Sequence, residues 1–500
     1  MGHELIAAVD LGSNSFRLQV GRVIGNQIYP LDSLKESVRL AAGLNAERAL
    51  DDASQARALD ALARFGERLR GFPGDAARAV ATNTLRVAKN VSFFLPQAEA
   101  ALGMPIEVIS GREEARLIYL GVAHSLPNPR SQQLVVDIGG GSTEFIIGRN
   151  FVPSHLESLY MGCVGFSLRY FPGGRVDKAS MKAAELAARK EIQAIVHVYR
   201  KTGWDEAVGS SGTAKALVDL LEMNGLSTGG ITADGLDRLC AMLLRAGDAG
   251  RLQLAGLRAD RVPVLPGGLA IMSAVFKEFA LEQMVFSEGA LRLGVLYDLL
   301  GRYHHDDLRE ATVKLFMRRY EVDDEQASRV VRTATRLLGQ LLPETQDDPD
   351  NPDLRFLIWA ARLHEIGVSL AHASYHKHSA YILANADMPG FSRRDQARLS
   401  RLVLAHRGKL ERVAQDLEQS RDWSLVFALR MAALLHRARD DTAEPPVRAA
   451  PAASGFQLKI DAHWLAALPL TAAAIDEEIR QWAGIGIDLK VRRKHRENPA

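Results

Sequence analysis

The sequence predicts an α/β protein that changes character partway along, and three observations carry this. From residue 5 to about residue 300, short apolar runs alternate with amphipathic helical stretches. Two of those runs end in an aspartate followed by a turn of glycines and hydroxyl residues. After residues 304–307 the alternation gives way to consecutive helices and then a small α+β unit.

Five hundred residues are too many for one ordinary core, and the pattern divides them into spans 1–126, 127–302, 303–440 and 441–500. The 62 basic and 60 acidic residues nearly cancel, so charge implies no nucleic-acid partner. Only two cysteines occur, Cys163 and Cys240. That excludes a disulfide framework and a cysteine metal site, and fits a reducing compartment. Glu4 stands where a signal peptide would carry positive charge, and no apolar run reaches the ~18 residues of a spanning helix. A cytoplasmic protein without a membrane span is expected.

Residues 5–10 form an apolar strand ending in Asp10, followed by the turn Leu11-Gly12-Ser13-Asn14-Ser15 and a second strand. Residues 52–70 show helical spacing. Residues 76–81 read as a strand ending in the polar turn Thr82-Asn83-Thr84-Leu85-Arg86. A helix over 93–102 and a strand over 106–109 follow. Ser110 and Glu113 have capping-box spacing for a helix over 113–123. The second portion repeats the opening design as V-V-D-I-G-G-G-S-T-E over 135–144. Three glycines let the backbone approach a bound group, and their N–H groups with the Ser142 and Thr143 hydroxyls can line an anion site. Two flanking carboxylates, Asp137 and Glu144, fit a divalent cation or an activated water beside a phosphate. A long helix over 180–199, a strand over 206–209, and the turn Ser210-Ser211-Gly212-Thr213 opening a helix come next. Helices over 269–279 and 291–300 flank a strand near 284–286. From 309 to about 439 the pattern is helical. Residues 440–454 read as a linker, and strand, helix and strand follow over 456–491, ahead of a basic tail.

Six stretches together resemble the exopolyphosphatase / guanosine pentaphosphate phosphatase family: D-L-G-S-N-S-F (10–16), T-N-T-L-R (82–86), S-G-R-E-E-A-R (110–116), D-I-G-G-G-S-T-E (137–144), S-S-G-T (210–213) and S-E-G-A-L-R-L-G-V (287–295). The resemblance implies two actin-like (ribonuclease H-like) α/β domains around a cleft. An all-α HD-like domain and a small α+β C-terminal domain would follow.

Hydrolysis of a terminal phosphoanhydride needs an in-line water, a base and positive charge on the phosphoryl oxygens. Glu114, in the first turn of a helix, is the expected base, and the resemblance places the family's catalytic glutamate there. Glu113 reads as part of the cap. Ser13, Asn14 and Ser15 from one half, and Gly139, Gly140, Gly141, Ser142 and Thr143 from the other, are the expected phosphate cradle. Ser211, Gly212 and Thr213 add to it, and Arg86 can clamp a phosphate bidentately. Asp137 and Glu144 are the candidate cation ligands, directly or through water. Asp10 either joins them or caps its own turn. Mg²⁺ suits this set, with K⁺ a further candidate. His364-Glu365, His376 and His406 invite a metal reading, but an HD site needs aspartate where Glu365 stands, so these histidines read as structural. Basic residues crowd the same span, and His376, Lys377, His378 and Arg407 are the expected walls of a polyphosphate channel.

The expected activity is removal of terminal orthophosphate from inorganic polyphosphate. The alternative is guanosine pentaphosphate (pppGpp) 5′-phosphatase activity, and an actin-like ATPase or kinase is the remoter one. The resemblance also leans toward a homodimer.

Overall fold

The computed structural model describes residues 3–25, 27–126, 130–303, 308–346, 348–349, 351–415, 417, 420–439 and 445–494. The expected boundary at 126/127, the junction at 304–307, the start of the expected linker and the end of the basic tail fall at or outside these limits. The chain forms two compact units, Met1–Asp307 and Leu308–Ala500.

The first unit holds two sheets built on one plan. Strands β1 (Leu5–Leu11), β2 (Phe16–Ile24), β3 (Gln27–Glu36), β4 (Ala77–Ala81) and β5 (Ile106–Val108) form a sheet in the order β3-β2-β1-β4-β5. Strands β6 (Gln133–Ile138), β7 (Thr143–Arg149), β8 (Val152–Leu159), β9 (Glu206–Ser210), β10 (Ile231–Thr232) and β11 (Gln283–Phe286) form the other, in the order β10-β11-β9-β6-β7-β8. In each, an antiparallel meander (β1-β2-β3 and β6-β7-β8) is extended on the other side of its first strand by parallel strands. Thus β3-β2-β1-β4-β5 corresponds to β8-β7-β6-β9-β11. The repeated strand–acid–turn motif marks a duplication of the whole sheet plan, with β10 added at one edge.

A shared core lies between the two sheets. Ile6, Ala8 and Val80 from one, and Val135, Ile146 and Val208 from the other, pack with the helices Gly111–Ser125 and Leu291–Tyr303. Those helices approach backbone to backbone. A Cβ on Gly294 would lie 1.7 Å from the Leu117 carbonyl oxygen, and one on Gly121 would lie 2.2 Å from that of Ala290. A buried charge network ties the same helices to the first sheet. Arg116 binds both Glu113 oxygens at 2.8 Å and Asp298 at 2.5 Å, while Arg78 on β4 binds Asp298 and Glu107, each at 2.8 Å. The Ser110 hydroxyl caps the first helix as expected, accepting from the Glu113 N–H. The Glu113 carboxylate belongs to the network.

The second unit has helices Leu308–Arg319, Asp324–Leu341, Pro352–Leu363, Tyr375–Asn385, Arg393–Ala405 and Ser420–Leu435. A sheet of β12 (Val447–Ala452), β13 (Gly455–Asp461) and β14 (Asp488–Lys494) follows, with helix Pro469–Ala483 before its last strand. Part of the expected linker is therefore strand β12, paired with β13 from Val447 opposite Ile460 to Ala452 opposite Gly455. The sheet shares one core with the helices: the Phe456 ring stacks on Phe427 at 4.5 Å and meets Trp482 at 5.2 Å. One helix, Val262–Phe279, is long and apolar enough to cross a membrane, and 72% of it is buried inside the structure.

Gly294→Ala is expected to destabilise the protein by about 1–3 kcal/mol, because the added methyl meets a backbone carbonyl that cannot retreat alone. Gly165→Ala, where a Cβ meets nothing within 4 Å, should be neutral or stabilising by about 1 kcal/mol through helix propensity. Denaturant unfolding of both variants checks the pair.

Candidate active site

Parallel strands β1, β4, β5, β6 and β9 deliver their carboxyl ends, and the turns that follow them, to one region of the first unit, where open α/β sheets bind ligands. There the two opening turns face each other. A Cβ on Gly140 would lie 3.1 Å from the Ser13 Cβ and 3.3 Å from the Asn14 backbone nitrogen. Behind the glycine turn, Gly162 packs so tightly that a Cβ would come within 2.4 Å of Gly140 and Gly141 backbone atoms. The N–H groups of Cys163 and Val164 donate to the Gly139 and Gly140 carbonyls at 2.9 and 3.0 Å, which fixes the turn.

A cavity of about 360 Å³ opens between the turns. Asp10, Glu114, Asp137 and Glu144 all line it; the last three are buried and Asp10 is half-buried. Burial, with the neighbouring charges of Asp10 and Asp137, pushes the Glu114 carboxyl up to about 7, although Arg86 pulls it down. Burial raises Asp10 to about 6 against the pull of Arg292 and Arg17. Asp137 is raised by burial and restrained by the Ser211 and Ser210 hydroxyls, which donate to its two oxygens at 2.5 and 2.7 Å. Glu144 is raised well above the ordinary value by burial, Glu114 and Asp137, with Ser158 donating to Oε1 at 2.7 Å. Arg86 Nη1 donates to Glu114 Oε2 at 3.1 Å and to the Ile109 carbonyl at 3.0 Å.

Most of the expected site residues meet here. Ser13, Asn14, Ser15, Gly139, Gly140, Ser142, Ser211, Gly212 and Thr213 border the cavity with the four acids, and Arg86 stands against Glu114. Thr143 does not. It is fully buried on the opposite face of β7 from Ser142 and Glu144, and its hydroxyl donates to the Met161 carbonyl at 2.6 Å. Gly141 packs on Asn83, whose Nδ2 would lie 2.1 Å from an added Cβ. Ser211 holds a left-handed φ of 57°, strain that aims its hydroxyl at Asp137.

The acids offer hard oxygen donors, the right chemistry for Mg²⁺. Yet among the described residues no group of three or more such side chains converges on one point. Serine hydroxyls occupy both oxygens of Asp137 and one of Glu144. This set fits a cation held by one or two carboxylates with phosphate oxygens and water, rather than an all-protein cage.

Sequence reasoning missed the opposite wall. Arg17 on β2, Lys35 on β3, Arg261 and Arg292 all line the cavity and lie close enough to perturb one another's charge. Arg261 covers Gly212, where a Cβ would come within 2.1 Å of its Nη2. Arg17 and Arg292 lie beside or inside motifs already quoted, and that adjacency was the available signal.

The proposed channel residues lie in the second unit. His376 is buried, its Nδ1 has no hydrogen-bond partner, and burial pushes its pKa down to about 4. Burial and the nearby cations favour its neutral form, which weakens its expected part in the wall of a polyanion channel. Lys377 and Arg407 are exposed, His378 is half-buried, and Arg407 lies over the Tyr375 ring at 5.2 Å. Nearby Arg398 is tied to Asp353 and Asp422 at 2.6 and 2.7 Å, and Arg362 to Glu310 at 2.8 Å. His364 and His406 are buried, and their Nδ1–H groups donate to the Ala361 and Val403 carbonyls at 2.7 and 2.5 Å.

The comparisons agree with this geometry. A guanosine-5′-triphosphate,3′-diphosphate pyrophosphatase of Vibrio vulnificus is 37% identical over 489 residues, covering 97% of this chain and 98% of that protein. Its namesake in Pseudoalteromonas atlantica is 38% identical over 490 residues, with 97% of each chain covered. Among solved structures, an exopolyphosphatase from Cytophaga hutchinsonii matches 59% of this chain and 97% of its own, with 23% identity and a TM-score of 0.54. The Aquifex aeolicus member of the Ppx/GppA protein family matches 60% and 99%, with 25% identity and a TM-score of 0.51. The Ppx/GppA phosphatase family model matches residues 20–303, and its domain III model matches residues 308–479. This chain belongs to the Ppx/GppA phosphatase family.

Proposed function

We propose that the protein removes the terminal 5′-phosphate of pppGpp. One observation carries this reading. The cavity is lined by more than the phosphate turns: Ala216, Leu220, Leu257 and Phe286 add apolar surface among Lys215, Asp219, Arg258 and Glu288. A linear polyphosphate has no use for apolar walls, whereas a nucleoside does. Arg17, Lys35, Arg261 and Arg292 supply charge for phosphates that lie away from the reacting one. The two pyrophosphatase relatives, similar over nearly their whole length, support the same choice. pppGpp thus replaces inorganic polyphosphate as the first expectation for substrate.

In this reading a water held by Glu114 attacks the terminal phosphorus in line. Glu114 takes the water's proton, and the bond from that phosphorus to the bridging oxygen breaks. The bridging oxygen keeps the electron pair and leaves on the shortened nucleotide. A base with a pKa of about 7 suits proton abstraction near neutrality. Arg86 holds Glu114 in place and offers guanidinium charge to the phosphoryl oxygens. The glycine turn and the Ser13–Asn14 turn supply N–H and hydroxyl donors from both sides. Mg²⁺, carried by Asp137 or Glu144 with the phosphates, would offset the charge of the transferred group.

Glu114→Gln should lower kcat on pppGpp by about 10²–10⁴-fold, the usual contribution of a general base, while binding persists. Phosphate release and a nucleotide titration measure the two effects, and near-normal turnover removes Glu114 from the role.

The base must be ionised, so kcat/KM should rise with pH through about 7 and fall below it. Arg86 lowers the Glu114 pKa, so Arg86→Gln should move that acid limb to higher pH as well as slow the reaction. A pH–rate profile with an unmoved limb separates Arg86 from Glu114.

Phosphate release from pppGpp, measured against release from long-chain polyphosphate under one set of conditions, tests the substrate assignment. A kcat/KM that favours polyphosphate rejects it.

A further inference from the structure

Two carboxylates that the phosphate chemistry does not use line the cavity, Asp219 and Glu288, and Glu288 is taken up by Lys215 at 3.1 Å. Asp219 lies on the helix Ser211–Met223, two turns beyond the phosphate-side residues Ser211, Gly212 and Thr213, and lines the cavity beside Ala216, Leu220 and Leu257. Across from it the chain passes close at Gly256, whose φ is +83° and whose added Cβ would lie 3.3 Å from the Asp219 carbonyl oxygen. Lys215, one turn earlier, feels the Asp219 charge, but its ammonium makes its short contacts elsewhere. It binds Glu288 at 3.1 Å and lies 5.2 Å from the centre of the Phe286 ring. Among the described residues no hydrogen bond or ion pair within 4 Å engages the Asp219 side chain.

A carboxylate accepts hydrogen bonds and cannot donate them. Beside the apolar groups of Ala216, Leu220 and Leu257 it selects a flat ligand that presents donors side by side. Guanine does this with its ring N1–H and exocyclic 2-amino group. Adenine presents a lone pair at the ring nitrogen and has no amino group at position 2. Hypoxanthine keeps the ring N–H and lacks the amine. We propose that Asp219 is the residue that reads the base, accepting both guanine donors while the ring packs among Ala216, Leu257 and Phe286. The assignment rests on the pppGpp reading and adds a base specificity that the phosphate turns cannot supply. A site built around a hydrogen-bonding group rejects analogues lacking the matching group more sharply than an apolar pocket does.

The test is competition against pppGpp hydrolysis, with the Ki of GTP, ITP, XTP and ATP measured on the full-length protein. In the wild type, ITP should bind about 10-fold and ATP about 100-fold more weakly than GTP, from one lost and then two mismatched hydrogen bonds. Xanthine carries a carbonyl where guanine has its amine. Asp219→Asn, which offers an amide donor there, should weaken GTP by at least ~10-fold and strengthen XTP by a similar factor. That reversal is a gain of binding that an unfolded variant cannot produce. Equal Ki values for GTP and ATP in the wild type, or equal losses for GTP and XTP in the variant, overturn the Asp219 assignment and leave the pppGpp reading standing. A wild type that releases phosphate from tripolyphosphate and none from pppGpp overturns both.

Discussion

Like charge, buried, is the constraint on which the first unit depends. Asp137 and Glu144 lie directly opposite each other in the β6–β7 ladder, a pairing that opposes strand association when both are ionised. Asp10 and Glu114 line the same cavity. Each of the four has its pKa raised, with burial as the largest cause. The linkage sign follows. A carboxyl with a raised folded-state pKa adds stability that is fully present below its unfolded-state value. That stability is lost as pH rises through the folded value, for these groups from about 4 up to about 6 for Asp10 and about 7 for Glu114. At neutral pH the fold therefore holds these four acids against their own repulsion. A cation or an arginine brought into the cavity relieves that repulsion, so the residues that oppose folding favour the bound state.

The scaffold that tolerates this strain is the network behind the cavity. Glu113 and Glu114 are adjacent in sequence and face different worlds. Glu114 turns to the substrate cavity and Arg86, and Glu113 turns to Arg116 and, through it, Asp298. Arg78 extends the same network into β4. Arg78, Glu113, Arg116 and Asp298 are buried, and removing one partner would strand the others, so the helix that carries Glu114 has little freedom to shift. Gly121 and Gly294 complete the arrangement by letting that helix lie against the Asp298 helix.

The strand–turn–strand units that open the two sheets were legible in sequence because they depend on local signals, whereas β3, β8 and β10 were not expected. An apolar run ending in aspartate, then glycines, specifies strand and turn without reference to distant residues. Alternation within β7 could have corrected the Thr143 expectation, since Ser142 and Glu144 on the cavity side put the residue between them on the other face. Other features were not local. Arg261 and Lys35 reach the site only through the fold, from segments that carry no motif. His376 looked like surface charge among arginines and lysines, but the helix Tyr375–Asn385 turns it inward. Strand β12 hid in an Ala/Pro-rich stretch, since its pairing with β13 rather than its composition makes it a strand.

In the proposed reading, phosphate and nucleoside recognition make opposite demands on one cavity, and a single helix, Ser211–Met223, contributes to both. The start of Ser211–Met223 bears hydroxyls and N–H groups: Ser211 holds Asp137, and Thr213 donates to the Ile138 carbonyl at 2.9 Å. Further along, the same helix presents Lys215, Ala216, Asp219 and Leu220 to the cavity. Arg261 lies over Gly212 at the boundary between the two. The cavity lining mixes cations, hydroxyls and apolar side chains. In the proposed reading the cations and hydroxyls take the phosphates of a nucleotide and the apolar groups take its base, a division of labour that a bare polyphosphate would leave half unused.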